Sequence, residues 1–128
     1  MTRDVKTISI KKPFTEACRM FNSYKIHHLP VVDNNNILLG LISFKDAMKV
    51  FHEKIYYSQK IKEAGINKKI KIYDVMTKEN LHTLKPNDKL KKAVILFKKY
   101  DISSIPIAED GKLVGILTTN DISKQLAN

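Results

Sequence analysis

The chain of 128 residues carries 23 Lys or Arg against 13 Asp or Glu, a formal charge of 23 − 13 = +10, with 43% apolar residues. This describes one globular domain or two very small ones, able to bury roughly two-thirds of the unfolded surface. The single Cys18 excludes an internal disulfide and a Cys-rich zinc site and suits a reducing compartment such as the cytoplasm, no run approaches the ~18 apolar residues of a membrane span, and residues 1–10 lack the apolar core of a signal peptide.

A short strand is expected first. From Pro13 to Tyr24 the apolar residues Phe14, Ala17, Cys18, Phe21 and Tyr24 recur at helical spacing, with Pro13 suited to a first turn. Leu29 to Val32 and Leu38 to Ile42 are short aliphatic runs about an Asp33-Asn34-Asn35-Asn36 turn, which predicts an antiparallel hairpin. A helix begins near Asp46, and its apolar residues Ala47, Val50, Phe51 and Ile55 suit either the internal core or a contact with a second copy. Residues 59–72 are polar around Gly65 and read as a connection. Leu90, Ala93, Val94, Phe97 and Tyr100 then repeat the first helical stripe. Ile105 to Ala108 and Leu113 to Leu117 repeat the hairpin around Glu109–Lys112, and a last helix begins near Asp121.

The order of elements is the same twice because the sequence repeats. Thr7, Ala17, Phe21, Tyr24, Ile26 and Pro30 fall on Thr83, Ala93, Phe97, Tyr100, Ile102 and Pro106 at one offset (106 − 30 = 76). The Asn-rich turn is one residue longer than its partner, so Leu38, Gly40 and Asp46 fall on Leu113, Gly115 and Asp121 at 115 − 40 = 75. Residues 1–58 and 73–128 are therefore two repeats, joined by 59–72, each too small to fold alone and expected to pack on the other.

The two boxes Ile26-His27-His28-Leu29-Pro30-Val31-Val32-Asp33 and Gly40-Leu41-Ile42-Ser43-Phe44-Lys45-Asp46 resemble the CBS domain. Ile102-Ser103-Ser104-Ile105-Pro106-Ile107 and Gly115-Ile116-Leu117-Thr118-Thr119-Asn120-Asp121 resemble it again, so that nearly the whole chain is similar to a tandem pair, or Bateman module. The resemblance implies an α/β (α+β) fold of two β-α-β-β-α repeats, packed sheet to sheet with pseudo-two-fold symmetry. It also implies two clefts that bind AMP, ADP, ATP or S-adenosylmethionine as regulatory ligands, with no catalysis and no required cofactor. Occupancy would be signalled to a partner or fused effector domain, and a homodimer is expected. The second copy has an amphipathic lead-in, Ile70 to Met76, that the first lacks, which suggests a piece of a longer protein.

Several residues carry the expected site. A carboxylate three residues after a hydroxyl, where a strand enters a helix, presents acceptors and a donor on one helical edge. Ser43 with Asp46, and Thr118 with Asp121, thus suit the vicinal hydroxyls of a ribose, and they equally suit capping of the following helices. Gly40 and Gly115 would leave space beside the strand. The segment around His27 resembles the Ile-His-Arg-Leu-Pro stretch of the AMP-activated protein kinase γ subunit, which implies a phosphate role for His27 and, less directly, for His28, which stands where that family has Arg. Ser103 and Ser104 occupy those places in the second repeat without charge, so the clefts should differ. By the same resemblance Thr7 and Thr83 border the adenine, and Ile26, Ile102, Pro30 and Pro106 line its slot. His27 is expected to share a cleft with Asp121 of the opposite repeat. Adjacent histidines in an extended segment point to opposite faces and are poorly placed to chelate a metal.

The positive charge supplies an alternative. A nucleic-acid-binding module would explain +10, although only Arg3 and Arg19 are arginines, the type that reads bases bidentately, and the lysines are spread along the chain as on a solvated surface. A module that dimerises without ligand is the third reading.

Overall fold

The computed structural model describes residues 3–55 and 62–127. In chain order the elements are β1 (Ile8–Ser9), α1 (Phe14–Tyr24), β2 (His28–Val32), β3 (Leu38–Ser43), α2 (Phe44–Lys54), α3 (Glu63–Lys69), α4 (Ile72–Val75), α5 (Leu90–Tyr100), β4 (Ser104–Glu109), β5 (Lys112–Thr118) and α6 (Thr119–Ala127). Among the described residues no helix is long and apolar enough to cross a membrane.

The expected helical stripe buries Phe14, Ala17 and Phe21 on one face of α1, and Pro13 sits one position earlier than expected, as its extended N-cap. Both α1 and α5 stop where a residue turns left-handed, Lys25 at φ 53° and Asp101 at φ 51°. β2 pairs parallel with β1 and antiparallel with β3, giving the order β1-β2-β3. Pro30 is tolerated in this central strand because the β1 pairing begins only at Val31, beyond the missing N–H. In the second repeat β4 and β5 form the hairpin, while the expected first strand contracts to one parallel bridge, Leu84 to Ile107.

The described part of the connection between the repeats, from residue 62 on, is itself folded. Glu63–Lys69 is helical despite Gly65, held against α1 where Thr15 Oγ1 donates to Glu63 Oε1 (2.8 Å), Thr15 N–H donates to Asn67 Oδ1 (3.0 Å), and Arg19 pairs with Glu63. The Thr15 hydroxyl, with Arg19, holds the exposed Glu63 carboxyl below its ordinary range. Ile70, Ile72, Val75 and Met76 are buried in the same core as Ile8, Phe14, Leu29 and Ile42, so the lead-in to the second repeat is anchored in the first. Ala47 and Ile55 are likewise buried in this core, and the half-buried Val50 and Phe51 pack beside them. Cys18 packs at the core's edge, where burial pushes its thiol up.

Backbone bonds join the halves. Leu41 N–H donates to Thr77 O (3.0 Å) and Thr77 N–H to Leu41 O (2.8 Å), while the two hairpin turns meet through Leu38 N–H to Gly111 O (2.9 Å) and Leu113 N–H to Asn36 O (3.1 Å). The space beside Gly40 is filled by this junction: a Cβ there would lie 2.7 Å from Met76 Sδ and 2.8 Å from Thr77 O. Thioether atoms can move, but a backbone oxygen in a paired bridge cannot. Gly40→Ala is therefore expected to cost about 1–3 kcal/mol, read as a lower urea midpoint at unchanged m-value.

Candidate ligand-binding clefts

Both strand-to-helix junctions are capped. Ser43 Oγ accepts from Asp46 N–H (3.0 Å), and Thr118 Oγ1 accepts from Asp121 N–H (3.1 Å). Only at the second does the carboxylate reciprocate, Asp121 Oδ2 accepting from Thr118 N–H at 3.0 Å. Asp46 is exposed and Asp121 half-buried, so capping leaves acceptor capacity at each.

Each junction faces the other repeat across a cleft. The larger cavity, about 570 Å³, places Thr118 and Asp121 opposite Lys25, Ile26 and His27, with Asp4, Val5 and Lys6 along one side. The smaller, about 230 Å³, is its counterpart: Ser43 and Asp46 stand opposite Asp101, Ile102 and Ser103, with Asn80, Leu81 and His82 alongside. Thus the structure brings His27 and Asp121 into one cleft. His28 and Ser103 line both cavities and are hydrogen-bonded to each other, His28 Nε2 to Ser103 Oγ at 2.9 Å. Ser104 borders the smaller cleft but is buried.

Four expected residues are not brought to either cavity. Pro30 and Pro106 are fully buried within their strands, where both faces are covered: Leu29 to Val32 and Ser104 to Ile107 are buried without alternation. Thr7 is half-buried and Thr83 exposed, neither lining a cleft. The positions that do line the slots are Val5 and Leu81, two residues earlier. Their signal was available, because each is the apolar residue of a polar triplet and 81 − 5 gives the repeat offset of 76.

Aromatic rings flank both sites at equivalent places. Lys6 Nζ lies 4.7 Å from the centroid of Tyr24, whereas His82 stacks on Tyr100 at 3.8 Å and 25°. His27 meets Phe44 edge-on at 6.0 Å. Burial pushes the His28 pKa below its ordinary 6.5, with His27 adding to the effect and Asp46 opposing it. At neutral pH the folded His28 is accordingly uncharged. Because the folded pKa is depressed, the unfolded chain binds the extra proton first, and this contribution to stability is complete above about pH 6.5 and lost as the pH falls below it. Unfolding midpoints measured from pH 7.5 to 5.5 should fall more steeply for the natural chain than for His28→Gln.

The fold is a pair of α/β repeats with a carboxylate-bearing cleft on each side of their junction. The chain belongs to the CBS-domain family, whose model matches residues 1–53 and 72–128. It is similar to the homoserine O-acetyltransferase of Methanococcus vannielii, 32% identical over 127 residues, covering 98% of this chain and 24% of that protein. The chain spans only about a fifth to a quarter of the length of the curated relatives it matches. Among solved structures it is similar to the CBS domain pair of protein MJ0100, in complex with 5′-methylthioadenosine and S-adenosyl-L-methionine (TM-score 0.82, 26% identity, 99% of this chain and 91% of that one). It also shares its fold with CBSX2 in complex with AMP (TM-score 0.80, 24% identity, 99% of this chain and 92% of that one).

Proposed function

We propose that the chain is a non-catalytic regulatory module that binds adenosine-containing ligands in the two clefts and signals their occupancy to a fused or associated effector. One observation carries this reading: each of the two clefts is assembled from both repeats, a carboxylate from one opposite an α–β turn from the other. A ligand that spans such a cleft favours the arrangement of repeats that fits it, and differential affinity of this kind is what regulation requires.

In the larger cleft Asp121 accepts the vicinal ribose hydroxyls, Thr118 donates to the sugar or its phosphate, and His27 meets the phosphate. In the smaller one Asp46 and Ser43 hold the ribose, with Ser103 and Ser104 beside it. Ile26 with Val5, and Ile102 with Leu81, supply apolar walls for the base. The ligands bound by the MJ0100 pair, a methylthio nucleoside and a sulfonium nucleoside, support the adenosyl class. Thr7 and Thr83 precede β1 and its single-bridge counterpart, two residues beyond Val5 and Leu81.

The test is equilibrium dialysis of radiolabelled AMP and S-adenosylmethionine against the chain at physiological salt. Saturable binding of at least one is expected, insensitive to a tenfold excess of duplex DNA by mass. Failure of both to bind, with DNA retained and released steeply as salt rises, would replace this reading with a basic nucleic-acid module.

A further inference from the structure

We propose, resting on the adenosyl reading above, that the two clefts sort their ligands by charge: the larger takes a phosphate-bearing nucleoside and the smaller an uncharged or cationic one. The repeat makes the comparison direct, because equivalent positions lie 76 residues apart. Lys25 and Asp101 (101 − 25 = 76) both follow their helix in the left-handed conformation, φ 53° and 51°, so two side chains leave the same backbone geometry with opposite charge. Lys6 is replaced by His82 (82 − 6 = 76), and His27 by Ser103.

The consequences add up within each cavity. In the larger one Lys6 and Lys25 balance Asp4 and Asp121, leaving His27 to meet an anion. In the smaller, Asp46 and Asp101 stand with no Lys or Arg among the described residues that line it. Of its two imidazoles, the His28 ring is kept neutral by burial and the His82 ring lies stacked on Tyr100. A phosphate entering there meets two carboxylates, with no described lysine or arginine beside them, in a partly enclosed space where water screens them less than in bulk. An uncharged thioether nucleoside meets no such repulsion, and a sulfonium is attracted. Size agrees for the thioether nucleoside, which lacks the phosphate, since the smaller cavity has less than half the volume of the other, about 230 against 570 Å³.

Calorimetric titration of the full chain with AMP and with 5′-methylthioadenosine, singly and in sequence, tests the sorting. AMP is expected to fill a single site, weakened about a hundredfold by Asp121→Ala and less than about threefold by Asp46→Ala. Methylthioadenosine should still bind AMP-saturated protein, and Asp46→Ala should remove that second event. Asp101→Lys should admit a second AMP. Lys25→Asp covers the case in which that variant does not fold, and should weaken AMP about tenfold or more while leaving methylthioadenosine in the smaller cleft. Two AMP sites of similar affinity in the natural chain would overturn the proposal, as would one-for-one displacement of AMP by methylthioadenosine or loss of AMP in Asp46→Ala alone. Absence of binding by every adenosyl probe would instead overturn the proposed function itself, and the sorting with it.

Discussion

Asp121→Ala is expected to weaken AMP about a hundredfold, equivalent to about 2.7 kcal/mol, in a chain that remains folded. The magnitude follows from charge-assisted hydrogen bonds between one carboxylate and two vicinal hydroxyls, each worth ~1.5–3 kcal/mol before the cost of withdrawing the acid from water. The same residue also caps α6 by accepting from Thr118 N–H at 3.0 Å, so the substitution should lower stability by about 1 kcal/mol as well. Asp121→Asn separates the two effects. An amide oxygen can still cap the helix, so thermal stability should return, while most of the affinity stays lost with the charge. Recovery of affinity alongside stability would mean that Asp121 serves only the helix.

Ile72→Ala should cost about 2–5 kcal/mol, as large as any core truncation in the first repeat. Ile72 is 1% exposed and packs with Ile70, Val75 and Met76 among residues of β1, α1, β2 and β3, although in sequence it ends the connection that leads into the second repeat. The repeats are thus interlocked, and urea should unfold them in one transition that moves as a whole in the variant. Two transitions, only one of them shifted, would contradict the interlocking. Leu126→Ala, at a residue 78% exposed on α6, provides the control and should change stability by less than about 0.5 kcal/mol.

What the chain displays and what it hides divide along physical lines. The helices α1 and α5 and both hairpins were legible because their apolar residues keep the helical or strand period and appear twice. The Ser43–Asp46 and Thr118–Asp121 junctions were legible for the same reason. Helix α3 was not: its residues are polar around Gly65, and its order comes from Thr15 and Arg19, 48 and 44 positions away from Glu63. The burial of Pro30 and Pro106 was not legible, because a strand's two sides are told apart only by what covers them, and both prolines are fully buried. Val5 and Leu81 escaped notice as single apolar residues in short polar stretches, where no period exists to mark them. The expected separation of the two sites was visible in His27 against Ser103, but the exchange of Lys25 for Asp101 gained meaning only once both were seen at the mouths of matching clefts.

The most direct test of the central claim is a calorimetric titration of AMP, ATP and S-adenosylmethionine into the natural chain and into the double variant Asp46→Ala/Asp121→Ala at near-physiological salt. Saturable binding in the natural chain, with every heat lost in a double variant that still unfolds cooperatively, is the expected result. Equal binding by both proteins, or none by the natural chain, would contradict the assignment of these clefts to adenosyl ligands.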